Sequence, residues 1–285
     1  MAEPRRRPAL MLAAALAVTA LGAAGCGPAG VAAASRPVSS RPATVSPPAA
    51  TTRPPAPTPT PTPAAPLAGQ TVGIDPGHNG RNRDDPAYLA RMVWNGRTME
   101  TCDTTGTESD AGYPEAAFTF AVATDLRADL EKDGATVVMT RPSNDGVGPC
   151  VDRRAQILNA ARASVAIDIH GDGGPASGRG FTVLDPVADG PNDKVIASSL
   201  RFGADVHAAL LAGTAMPVAD YYGTNGYISR DDLAGLNLTT VPKILIESGN
   251  MRNATDARLM TTPAFQQQLA AAFTAAIITF LKPPA

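Results

Sequence analysis

Short apolar runs and amphipathic stretches alternate along most of the chain. The runs Thr71–Asp75, Ala135–Thr140, Val165–Ile169, Gly180–Leu184 and Lys243–Ile246 have the length and composition of buried strands. Between them, apolar residues recur at helical spacing over Glu115–Lys132, Val151–Ala163, Lys194–Ala212 and Pro263–Leu281. Strands separated by helices predict an α/β fold, a mainly parallel twisted sheet with helices on both faces. Residues Arg91–Gly112 interrupt the alternation. There Met92-Val93-Trp94 followed by Asn95-Gly96 reads as a strand and a tight hairpin turn, an insertion or flap.

The first 66 residues follow a different pattern. Arg5-Arg6-Arg7, the apolar run Ala9–Leu21 and the small residues up to Cys26 have the order of a secretory signal. The run is too short for a comfortable membrane span, which takes about 20 residues. Cys26 stands where a lipoprotein would be cleaved and acylated, although Ala23 replaces the usual Leu or Val. Membrane attachment through Cys26 and a plain cleaved signal both stay open, and either exports the mature chain to the cell envelope or a periplasm-like space, lipid-anchored or secreted. Residues 27–66 mix proline with Thr, Ser and Ala and lack core-forming side chains, so they read as a disordered linker. The folded domain is then residues 67–285.

Charge and cysteine content narrow the chemistry. A formal charge of −2 gives no reason to expect nucleic-acid binding. Past Cys26 only Cys102 and Cys150 remain, and exported thiols often pair. A Cys102–Cys150 disulfide is expected, with two unrelated thiols as the alternative.

The chain has three histidines. His78 follows the first strand in Asp75-Pro76-Gly77-His78, and His170 ends the run Val165–Ile169. Ligands of parallel α/β sheets gather at the carboxyl ends of strands. His207 lies inside a helix, where a structural or solvated role fits better. Helical spacing puts Glu115 on the same side as Phe118, Val122, Leu126 and Leu130, and a carboxylate on a buried stripe needs a partner or a metal. A frayed first turn, with Glu115 merely favouring the helix dipole, explains it equally well. Glu247 closes Ile244-Leu245-Ile246 and points to the same rim, where a plain solvated charge is the alternative reading. Two His and one Glu form the set typical of catalytic zinc (Zn2+), and a fourth carboxylate can serve as the acid–base. H-E-x-x-H, G-x-S-x-G and phosphate-loop motifs are absent.

These segments resemble the zinc-dependent N-acetylmuramoyl-L-alanine amidases often called Amidase 3. The carrying residues are Val72–His78, Glu115, Arg141-Pro142, Arg154, Asn159, Ala166–His170, Val241–Asn250 and Asn253–Asp256. The resemblance implies zinc held by His78, Glu115 and His170, and Glu247 as the catalytic acid–base. It implies hydrolysis of the amide between N-acetylmuramic acid and L-alanine in peptidoglycan, by a short form without a wall-binding module; a monomer is expected. Asp168 departs from the family's usual Ser; it shares a strand face with His170 and can back a ligand. Arg230 and Asn225 are candidates to contact a peptide carboxylate. A zinc peptidase cutting within the stem peptide and a non-catalytic wall-binding lipoprotein are the competing functions.

Overall fold

A computed structural model of the chain describes residues 65–282. The expected signal, Cys26 and nearly all of the linker lie outside the described residues.

In chain order the elements are β1 (Thr71–Pro76), α1 (Pro86–Leu89), β2 (Met92–Trp94), β3 (Met99–Thr101), α2 (Glu115–Lys132), β4 (Thr136–Met139) and α3 (Val151–Ala161). They continue with β5 (Val165–Asp172), β6 (Thr182–Pro186), α4 (Ile196–Gly213), β7 (Tyr227–Arg230), α5 (Ala234–Asn237), β8 (Lys243–Asn250), α6 (Ala254–Met260) and α7 (Pro263–Leu281). Six strands make one sheet in the order β4-β1-β5-β8-β6-β7. The first four are mutually parallel, β6 runs antiparallel to β8, and β7 is parallel to β6. The reversal has a simple cause. Residues 173–181 leave the carboxyl end of β5 without a helix to carry the chain back, so β6 must run the other way.

Strand alternation gives the sheet two unlike faces. On one, Val72, Ile74, Val165, Ile167, Ile169, Ile244 and Ile246 pack against Phe118 and Leu126 of α2, Phe202 of α4 and Phe273 of α7. That face is continuous hydrocarbon. The other carries smaller apolar clusters, Leu158 of α3 with Ala166 and Val241, and Leu236 of α5 with Leu184 and Leu245. Between those clusters, β1, β5 and β8 place Asp75, Asp168, His170, Lys243 and Glu247. Helix α7 and the segment Asp193–Gly213 are long and apolar enough to cross a membrane by length and composition. In α7 that character answers to packing, with Phe265, Leu269, Phe273, Ile277 and Phe280 all in the main core.

The insertion is a two-stranded ribbon, β2 against β3. It is held at both ends. At the tip, Arg97 Nε lies 2.9 Å from Asp189 Oδ1 and the buried Asn95 donates to the Asp232 carbonyl. At the base, Cys102 and Cys150 form a disulfide that ties the ribbon to the start of α3. Met92, Trp94 and Met99 stand exposed on it.

Candidate metal centre and acid–base site

Strands β5 and β8 run on beyond the expected Ile169 and Ile246, because their pairing continues past the rim to Asp172 and Asn250. His170 and Glu247 therefore lie within the strands, directly opposite each other in register. His78 comes from the loop after β1, and Glu115 is the first residue of α2.

Buried contacts hold the segments together. His78 has φ +58°, a left-handed conformation that strains a residue with a Cβ and is held by its surroundings. Arg154 supplies part of that hold, donating from Nη2 to the His78 carbonyl (2.7 Å) and from Nη1 to the Pro76 carbonyl (2.7 Å). Gly77 packs so closely on the His170 ring that any side chain there would collide with it. Arg141 is fully buried and joins the His78 loop to the head of α2. It donates to the carbonyls of Pro76 (2.9 Å), Gly77 (3.3 Å) and Ala116 (2.9 Å). Burial and the nearby Arg154 push its guanidinium down to about 9.

Glu115 is buried and its two oxygens face different imidazoles. Oε1 lies 2.9 Å from His170 Nδ1 and Oε2 lies 3.3 Å from His78 Nε2. The Thr107 amide also donates to Oε2 (2.9 Å) and the Gly171 amide to Oε1 (3.2 Å). One donor atom from each of His78, Glu115 and His170 falls within 4.8 Å of the other two. The first helical turn is thus ordered and points inward. Burial disfavours charge on His78, but Glu115 and a hydrogen bond with Asp103 outweigh it and push the imidazole up to about 9. A cation arriving there displaces protons.

Glu247 has a different environment. Its Oε2 is buried without a hydrogen-bond partner. Burial pushes the carboxyl up to about 8; His170 opposes the shift while Glu115 and Asp172 add to it. An acid poised near neutrality beside the histidines can accept and return a proton. A cavity of about 230 Å³ opens against the same site, lined in part by His78, His170, Glu100, Thr101, Leu233 and Leu245.

Other candidates separate from the centre. Arg230 lies in β7, its guanidinium occupied by Asp232 and the Tyr222 hydroxyl. The Asn225 carbonyl accepts from His207, whose ring stacks on Tyr227 at 4.5 Å. His207 is structural. Asp168 does reach His170, with Oδ1 3.2 Å from Nε2. The sequence reading missed Asp103, Asp75 and Lys243. Charged residues inside the apolar strands β1 and β8 were the available clue for the last two. Asp103, on an irregular loop 25 residues from His78, offered none.

The N-acetylmuramoyl-L-alanine amidase family matches residues 72–279. An N-acetylmuramoyl-L-alanine amidase of Mycobacterium tuberculosis is 40% identical over 222 residues, covering 75% of this chain and 88% of that protein. The solved amidase Ami1 of Mycobacterium abscessus superposes with TM-score 0.71 at 39% identity, over 76% of this chain and 100% of the other. Ami1 of Mycobacterium smegmatis gives TM-score 0.71 at 40% identity, over 75% and 98%. With the matched span covering nearly all of the described fold, the chain belongs to the N-acetylmuramoyl-L-alanine amidase family.

Proposed function

We propose that this peptidoglycan amidase works with a zinc ion held by His78, Glu115 and His170, and with Glu247 as its acid–base. The bond cut joins the lactyl group of N-acetylmuramic acid to L-alanine of the stem peptide. Family membership supports the reaction. The metal reading rests on one observation, the convergence of three donor atoms from distant segments within 4.8 Å. Two imidazoles and one carboxylate are the protein ligands of a catalytic zinc site, which keeps a further position open. When bound, zinc supplies Lewis acidity to the scissile carbonyl and to water.

The chain's own groups do the rest. Glu247 takes a proton from the attacking water at its unpartnered Oε2. The new carbon–oxygen bond forms, the carbon–nitrogen bond breaks, and Glu247 returns the proton to the departing amine. The adjoining cavity, apolar at Leu233 and Leu245 and acidic at Glu100, receives part of the stem. Digestion of a defined muropeptide followed by mass analysis tests this. A stem released with a free L-alanine amine, and no release with a chelator, is the expected result. Fragments cut inside the stem overturn it.

We read residues 1–26 as an export signal, 27–66 as a tether and 67–285 as the catalytic unit, a monomer in the cell envelope. The substrate's location and the Cys102–Cys150 disulfide support an oxidising compartment. Intact mass of the mature protein tells an acylated Cys26 from a plain cleavage.

A further inference from the structure

The two histidines present opposite ring nitrogens to Glu115, Nε2 from His78 and Nδ1 from His170. On the far side, each ring meets a different carboxylate. His78 Nδ1 lies 3.0 Å from Asp103 Oδ1, and His170 Nε2 lies 3.2 Å from Asp168 Oδ1. An ionised carboxylate only accepts hydrogen bonds, so the nitrogen facing it carries the proton. The nitrogen facing Glu115 also meets a carboxylate and is protonated while no cation is bound. A cation between Glu115 and the rings displaces that proton, and the other nitrogen keeps its proton on its aspartate.

Both carboxylates are held in turn. Asp168 Oδ2 is 3.0 Å from Lys243 Nζ, and Asp103 Oδ2 accepts from Asn82 (3.0 Å) and Arg154 (3.4 Å). Lys243 and Arg154 then meet on one acid. Lys243 donates to Asp75 Oδ2 at 2.7 Å, and Arg154 to Asp75 Oδ1 at 3.0 Å. The chain His78–Asp103–Arg154–Asp75–Lys243–Asp168–His170 is unbroken, and its five linking residues are all buried. Its carboxylates outnumber its cations by one.

We infer that Asp103 and Asp168 are positioning residues that present Nε2 of His78 and Nδ1 of His170 to one divalent cation, with Arg154, Asp75 and Lys243 coupling the two. This rests on His78, Glu115 and His170 being the ligands. Each aspartate acts on the metal through the ring it orients.

The test is zinc affinity by chelator competition on folded protein, for the wild type, Asp103→Asn, Asp168→Asn and, as a control outside the chain of contacts, Asp185→Asn. The two positioning variants should each bind zinc about 10- to 100-fold more weakly, and the control as the wild type does. Where a variant fails to fold, nitrogen-15 histidine spectra of the zinc-loaded wild type decide. With three histidines in the sequence the signals separate. His78 should be protonated at Nδ1 and His170 at Nε2. Either ring in the opposite tautomer, or folded variants that hold zinc as tightly as the wild type, overturns the inference. A wild type that takes up no zinc removes the ligand reading along with it.

Discussion

The two faces of the central sheet are both buried, yet they are built from opposite chemistry. Beneath α2, α4 and α7 the strands contribute only Val and Ile at the centre, and the packing there is hydrocarbon against hydrocarbon. Beneath α3 and α5 the same strands contribute Asp75, Asp168, His170, Lys243 and Glu247, and contact runs through ion pairs. The acids of the two sides show what this difference costs. Burial alone would raise Asp75, but Lys243 and Arg154 hold it well below the usual carboxylate range. Asp185, at the end of β6 on the apolar side, has a buried oxygen without a partner, and burial pushes it up to about 6. The apolar face supplies stability and the polar face a defined arrangement of charge.

Substitutions on each face break or sharpen that contrast. The largest expected effect is on rate alone. Glu247→Gln should lower kcat by about 100- to 10,000-fold while zinc content stays at the wild-type value and the melting temperature does not fall, read by muropeptide turnover and calorimetry. A comparable loss of stability would show that the polar face also supports the fold. On the apolar face, Phe273→Ala removes a fully buried ring from the main core. It should cost about 3–5 kcal/mol in denaturant unfolding and leave zinc affinity of the folded protein unchanged.

Lys243→Met sharpens the comparison from within the polar face. It leaves Asp75 and Asp168 buried without their shared ammonium, and about 3 kcal/mol of stability should be lost. A neutral result would mean that Arg154 alone satisfies Asp75. The smallest effect belongs to Asp185. Its folded value, about 6, exceeds the ordinary 3.8 of an unfolded chain. The folded state therefore holds the proton longer, and wild-type stability falls as pH rises from about 4 to about 6. Asp185→Asn has no such penalty. Above pH 6 it should gain about 1–2 kcal/mol on the wild type, solvent near the strand end reducing the full shift, and below pH 4 the advantage should vanish. Thermal melts at pH 3.5 and 7 check both the sign and the window.

Much of this arrangement was legible in the residue pattern. The five apolar runs became β1, β4, β5, β6 and β8, and the four long helical stretches became α2, α3, α4 and α7, because burial imposes its period on the sequence. Strand β7 escaped notice. Tyr227–Arg230 is a short edge strand with one side neighbour and a half-exposed pattern, so it carries no apolar run to read. The direction of β6 was equally silent, since an apolar strand looks the same in either orientation. Among the site residues, His78, Glu115, His170 and Glu247 stood out because each follows or opens an apolar pattern in the sequence, although His170 and Glu247 lie within strands that run past them. Arg141 and Arg154 were visible only through family resemblance, and their contacts with backbone carbonyls leave no periodic trace.

The sequence by itself determined which elements form, which of their faces are apolar, and which side chains stand at the carboxyl ends of the strands. Those are properties of neighbours along the chain. Tertiary structure decided which histidine nitrogen meets which carboxylate, that Glu115 spans both rings, and that Asp103 and Asp168 are joined through Asp75. Such contacts link residues as far apart as Asp75 and Lys243, 168 positions along the chain. Their distances follow from how the sheet and its loops pack, and spacing along one strand or helix carries no record of that.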